Sequence, residues 1–128
     1  MEDLKAVLSD LGKHSPVTII GSGFEPELSK ALVDGFGGNY STKTAREIVH
    51  MVASDECEEI IEILNCYGAV VIDETELYRN KGSLQKALVF ALEDVTSAVV
   101  ITASKPFDKE GYDSAFLEYI NKGTIIEL

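Results

Sequence analysis

The sequence predicts an α/β fold, a three-layer sandwich around a mostly parallel five-stranded sheet. Two observations carry this. Short, wholly apolar runs alternate with stretches whose apolar residues recur at helical spacing. The apolar runs do not alternate with polar residues, as expected of strands covered on both faces in a parallel sheet. The 128 residues are 45% hydrophobic, enough for one sizeable core and against disorder. No repeat, low-complexity tract or linker divides residues 1–128, so a single α/β domain is expected.

The elements follow in order. Leu4, Val7, Leu8 and Leu11 mark a helix over residues 2–12, with Gly12 as its stop. Val17–Ile20, between Pro16 and Gly21, reads as a buried strand, followed by the turn Gly21-Ser22-Gly23-Phe24. Pro26 suits a first helical turn, and Leu28, Ala31 and Leu32 continue that helix until Gly35, Gly37 and Gly38. Asn39–Thr42 is a short second strand; Lys43–Met51 suits either a helix or a strand edge. Ser54 or Asp55 can cap a helix with Ile60, Ile61 and Leu64 on its apolar face. Strand Ala69–Ile72 leads into Asp73-Glu74 and a polar loop to Gly82. Ser83 caps a helix carrying Leu84, Ala87, Leu88, Ala91 and Leu92. Strand Ala98–Thr102, a loop containing Lys105-Pro106, a helix over Asp113–Asn121 and a strand Thr124–Ile126 complete the chain.

Charge and cysteines exclude several function classes. The net charge of −11 disfavours phosphodiester partners, so no nucleic acid is expected. No apolar run is long enough to span a bilayer, and Met1-Glu2-Asp3 opens no secretory signal; a cytoplasmic protein without membrane attachment is expected. Cys57 and Cys66 form no CxxC pair and match no zinc pattern; they read as buried small hydrophobes. His14 and His50 have no Ser or Cys at a recognisable spacing.

The order of the pieces resembles the α/β core of an AAA-type P-loop ATPase, a Rossmann-like fold, over nearly the whole chain. Val17–Gly21 stands where the strand entering the P-loop would be, and Glu27–Leu32 resembles the helix behind it. Val70-Val71-Ile72-Asp73-Glu74 resembles a Walker B-type motif, whose Asp binds magnesium and whose Glu activates water. Val99–Thr102 resembles the strand whose terminal polar group orients that water. The departures concern activity. A P-loop needs G-x-x-x-x-G-K-[ST], whose amides, Lys and hydroxyl hold phosphates and magnesium. Here Ser22-Gly23-Phe24-Glu25-Pro26 follows Gly21, two residues short and without Lys-Thr or Lys-Ser. Pro26 has no amide to give, and Glu25 brings a negative charge. At about 4 Å and an effective dielectric of about 20, two like charges repel by about 4 kcal/mol. The family's intersubunit arginine has no counterpart around Ala115–Glu118, and the chain closes on its fifth strand, where the family continues into a helical lid. The resemblance therefore implies a degenerate core without a functional Walker A motif or lid.

The function expected is that of a non-catalytic AAA-like protein-interaction or regulatory module, with no catalytic residues and no cofactor, acting on a protein partner or as a homo-oligomer. The alternative is a small-ligand or divalent-metal-dependent enzyme. It would use Asp73 and Glu74 at the carboxyl edge of the strands, where open α/β sheets bind ligands, together with Thr102 and the turn Gly21, Ser22 and Gly23. That turn lacks the third glycine of a dinucleotide fingerprint. A phosphoacceptor reading from Asp73, Thr102 and Lys105-Pro106 lacks the acidic pair after the first strand that receiver domains have. Phe24, Tyr78 and Phe107 lie in loops around the same edge, either as a protein-contact patch or folded back over the core.

Overall fold

The computed structural model describes residues 6, 7, 10 and 15–128. Its elements run β1 (Val17–Ile20), α1 (Glu25–Phe36), β2 (Tyr40–Thr44), α2 (Ala45–Ala53), α3 (Cys57–Asn65), β3 (Ala69–Asp73), a 3₁₀ turn (Thr75–Tyr78), α4 (Gly82–Leu92), β4 (Ala98–Ala103), α5 (Ser114–Asn121) and β5 (Thr124–Glu127). The helix expected over residues 2–12 falls, apart from Ala6, Val7 and Asp10, outside the described residues, as does His14.

The five strands form one sheet in the order β2-β3-β4-β1-β5. Every neighbouring pair is parallel, so the sheet is wholly rather than mostly parallel. Parallel neighbours require a crossover, and helices supply it. Strand alternation then sorts the apolar side chains to two faces. Val70, Ile72, Val99 and Ile101 join Ile48, Leu64, Leu88 and Phe116 from α2 to α5 in one core cluster. Val17, Ile19, Ala69, Val71, Ala98, Val100 and Ile126 pack beneath α1, against Leu28 and Leu32, in the other.

Several boundaries differ from the sequence reading for identifiable reasons. The ambiguous stretch after Lys43 is a helix, because Thr44 accepts a hydrogen bond from the Glu47 amide at 3.1 Å. That is half of a T-x-x-E capping box, and it ends β2 at Thr44. Neither Ser54 nor Asp55 caps α3: Asp55 sits at φ 63° and the capping position is Glu56, without a side-chain bond. Ser83 lies inside α4, which starts one residue earlier. Thr75–Tyr78, expected as loop, makes a 3₁₀ turn. Asp113 does cap α5, accepting from the Ala115 amide at 2.9 Å. Cys57 is half-buried, but Cys66, expected to be buried, is exposed at the end of α3.

The close approach of backbones at the start of β5 sets the register of the sheet edge. A Cβ on Gly123 would stand 1.8 Å from the Pro16 carbonyl oxygen. The same oxygen accepts from the Thr124 amide at 3.0 Å. Gly123→Ala is expected to lower stability by about 1–3 kcal/mol in urea unfolding, because the clash is with main chain. Gly35→Ala, within α1 and with nothing inside 4 Å, is expected to raise it by up to about 1 kcal/mol. Equal responses at the two glycines contradict this packing.

Candidate functional site

Parallel pairing brings the carboxyl ends of β3, β4 and β1 together in that order. Strands lie about 4.8 Å apart, so the ends of β3 and β1 stand roughly 10 Å from each other across β4. Asp73 is the last residue of β3, and Thr102 pairs in register with Ile19 near the end of β4. Gly21 directly follows β1 and donates its amide to the Ala103 carbonyl at 2.9 Å. By alternation from Val71 and Val100, Asp73 and Thr102 fall on the sheet face that α1 covers. The expected site residues Asp73, Thr102 and Gly21 thus share one edge. Ser22 and Gly23 are exposed in the turn beyond it. Glu74 takes a left-handed conformation at φ 61° and is exposed, so it departs from the strand line that Asp73 continues.

The β1–α1 turn is tight. Gly21 and Gly23 have φ of 141° and 77°, conformations that β-carbons resist. A Cβ on Gly21 would meet the Leu128 Cβ at 3.0 Å. Phe24 is 4% exposed and packs into the core beneath α1 with Leu28 and Leu32. The first turn of α1 then carries Glu25, Pro26 and Glu27. Tyr78 and Phe107 are half-buried against the other core cluster. All three aromatic side chains thus fold over the core and form no exposed patch.

The acids at this edge are imperfectly satisfied. One carboxylate oxygen of Asp73 and one of Glu27 are buried without a hydrogen-bond partner, as is the hydroxyl of Thr75. Burial, and then the neighbouring Glu74 charge, push the Asp73 carboxyl above its ordinary value. Among the described residues no group of three or more His, Cys, Asp or Glu side chains converges as a metal-ligand set.

Beside Asp73, the segment after β3 is tied to the segment after β4 by contacts that spacing did not reveal. Ser104 donates its amide to Glu76 at 2.6 Å, and its hydroxyl lies 2.9 and 3.1 Å from the two Glu76 carboxylate oxygens. Arg79 grips Asp108 through two bonds, 3.2 and 2.6 Å long, which holds the Asp108 carboxyl below its ordinary value. Gln85 pins the same region from within. Its amide nitrogen donates to the carbonyls of Tyr78 and Gly111 at 2.7 and 2.9 Å, and its oxygen accepts from the Asp113 amide at 2.6 Å. The signal for Gln85 was present: a polar residue in the apolar stripe of α4 with Leu88, Val89 and Leu92. The two ion-pairing residues stand 29 apart in sequence and gave no such signal.

Two outcomes follow. A carboxyl raised on folding binds its proton more tightly in the folded state, so stability is full below the unfolded value of about 4 and falls as pH rises from there through the raised folded value. Asp73→Asn is therefore expected to raise the melting temperature at neutral pH, with the gain vanishing below about pH 4. A fall in melting temperature at neutral pH contradicts this. Gln85→Ala removes three hydrogen bonds and leaves the Asp113 amide without its partner, whereas the Tyr78 and Gly111 carbonyls keep the Lys81 and Asn80 amides; it is expected to cost about 1.5–3 kcal/mol in denaturant unfolding. A loss under about 1 kcal/mol contradicts the pin.

Solved structures share this architecture. DnaA from Aquifex aeolicus bound to AMPPCP superposes with a TM-score of 0.72 at 15% identity, covering 98% of this chain and 44% of that one. A DNA replication initiation factor gives 0.71 at 16% identity, over 99% and 44%. Domain III of the Thermotoga maritima replication initiation protein DnaA gives 0.70 at 11%, over 99% and 61%. This chain thus spans less than half the length of the first two. No protein-family model and no curated protein matches the sequence. At these identities the likeness is one of fold: the five-stranded parallel α/β sheet with its covering helices is the architecture shared with these structures.

Proposed function

We propose that the chain is a non-catalytic AAA-like domain that acts as a protein-interaction or regulatory module. The observation that carries this is the β1–α1 turn. Four residues, Gly21 to Phe24, join strand to helix, and the last buries its side chain in the core. A triphosphate with magnesium needs a longer loop of amides, a lysine at its end and a hydroxyl beside it. Here the helix N-terminus, which favours anions by its dipole, is occupied by Glu25 and Glu27, and Pro26 offers no amide. The first cation along α1 is Lys30, more than one helical turn further on and exposed. These residues do not fit a triphosphate, and no hydrolytic step is assigned to them. Their fit to the core, by contrast, is good, because Phe24 replaces a ligand space with packed apolar surface. In this reading the domain works on a protein partner or a second copy of itself in the cytoplasm. No helix among the described residues is long and apolar enough to cross a membrane.

A second reading is favoured by the unpartnered carboxylate oxygens of Asp73 and Glu27. Buried acids without donors accept a cation or a proton readily, so a divalent-metal or small-ligand site at Asp73 and Glu74 is the alternative. The two readings separate experimentally. Titration of a fluorescent ATP analogue with magnesium is expected to show no micromolar binding, and a micromolar Kd overturns the first reading. A melting-temperature rise with one divalent ion, lost in Asp73→Ala, establishes the second. Size measurement across concentrations distinguishes a second copy from a foreign partner.

A further inference from the structure

The contacts between the segments after β3 and β4 leave a cleft of about 710 Å³. Its walls are Glu76 and Arg79 on one side and Ser104, Lys105, Asp108 and Tyr112 on the other, with Pro106. Small-ligand sites commonly fall in this size range. What decides its chemistry is the hydrogen-bonding capacity left over. Glu76 is engaged by Ser104, and Asp108 by Arg79. Three donors are not engaged by any described residue: the Lys105 ammonium, the Arg79 Nη1 hydrogens and the Tyr112 hydroxyl.

Tyr112 is the most telling of these. Its ring packs edge-on against Phe107 and stacks on Phe116, at 4.8 and 5.3 Å, and the residue is only 6% exposed. The ring supplies that burial, while the hydroxyl is accessible at the open side of the cleft. It lies within electrostatic reach of Glu76, Arg79 and Asp108. Burial, with Glu76 next, holds the phenol above its ordinary value, so it remains a donor at any physiological pH.

We propose that this cleft binds a carboxylate group, with the Tyr112 hydroxyl donating to it and Lys105 and Arg79 supplying positive charge. The charge balance of the walls selects a carboxylate over a phosphate. Glu76 and Asp108 face the same space and offset the charges of Arg79 and Lys105, so a dianion gains no more net attraction than a monoanion and costs more to desolvate. The carboxylate belongs either to a small acid or to an Asp or Glu side chain of a partner. This site is separate from the β1–α1 turn, and it stands whether or not the chain binds a nucleotide.

The test uses amide correlation spectra of the whole isotope-labelled chain. The probes are sodium propionate, an acetylated and amidated Gly-Glu-Gly peptide, and inorganic phosphate. Propionate or the peptide is expected to shift the amides of Ser104 to Tyr112 saturably at millimolar concentration. Tighter binding of propionate identifies a small acid as the ligand, and tighter binding of the peptide identifies a partner side chain. Tyr112→Phe keeps the ring stack and removes only the donor; it is expected to weaken binding about fivefold. Lys105→Gln, on an exposed loop, is expected to do at least as much, whereas Lys30→Gln on α1 leaves binding unchanged. Overturning results are no saturable shift with either carboxylate, tighter binding of phosphate than of both, or undiminished binding in Tyr112→Phe and Lys105→Gln.

Discussion

Burial of β4 on both faces is the constraint on which the rest of this molecule depends. Val99 and Ile101 are fully covered by one helical layer, and Val100 by the other, so no face of the strand can be left to water. Burying each such side chain contributes about 1.5–3 kcal/mol, and only a helix on either side achieves it. The strand is hydrogen-bonded to β3 and β1 in parallel register. Three carboxyl ends therefore lie side by side, and the candidate residues gather there: Asp73, Thr102, Gly21 and the cleft beyond Ser104.

That edge has two different characters. At the β1–α1 turn, Phe24 packs into the core, and the first turn of α1 carries Glu25 and Glu27. A few residues along the same edge, polar side chains from two loops face one another across solvent. Gln85 fixes both loops from below, so the walls of the cleft inherit the rigidity of the core. Asp73 ends β3, across β4 from the β1–α1 turn, and is held above its ordinary value by burial and Glu74. A carboxylate placed at a cost to stability is what ligand sites often show, and equally what remains when a ligand is no longer bound.

Much of the fold was legible because apolar runs bounded by Gly and Pro are direct statements about burial. Val17–Ile20, Val70–Ile72, Val99–Ile101 and Ile125–Ile126 all lie in strands. The ambiguity at Lys43–Met51 arose because Ile48, Val49, Met51 and Val52 suit two periodicities; the deciding signal was local, the Thr44–Glu47 cap. The caps of α3 and α4 were misplaced because the Ser and Asp residues chosen for them do not make those bonds. Of the site, the gathering of Asp73, Thr102 and Gly21 followed from strand order alone. The pairing of Arg79 with Asp108 and of Glu76 with Ser104 depends on how two loops approach in space, which periodicity does not encode. The burial of Phe24 was open for the same reason: only the covering helix decides where a turn residue packs.

The account stands or falls on the β1–α1 turn being packed shut in solution. Amide hydrogen exchange over Gly21–Leu28, measured with and without millimolar magnesium–ATP, addresses this directly. The packed turn predicts slow exchange at Leu28, whose amide bonds to the Phe24 carbonyl at 2.9 Å, and no change on adding nucleotide. Fast exchange there without nucleotide, converted to protection with it, would show that the turn opens to hold phosphates and contradict the account.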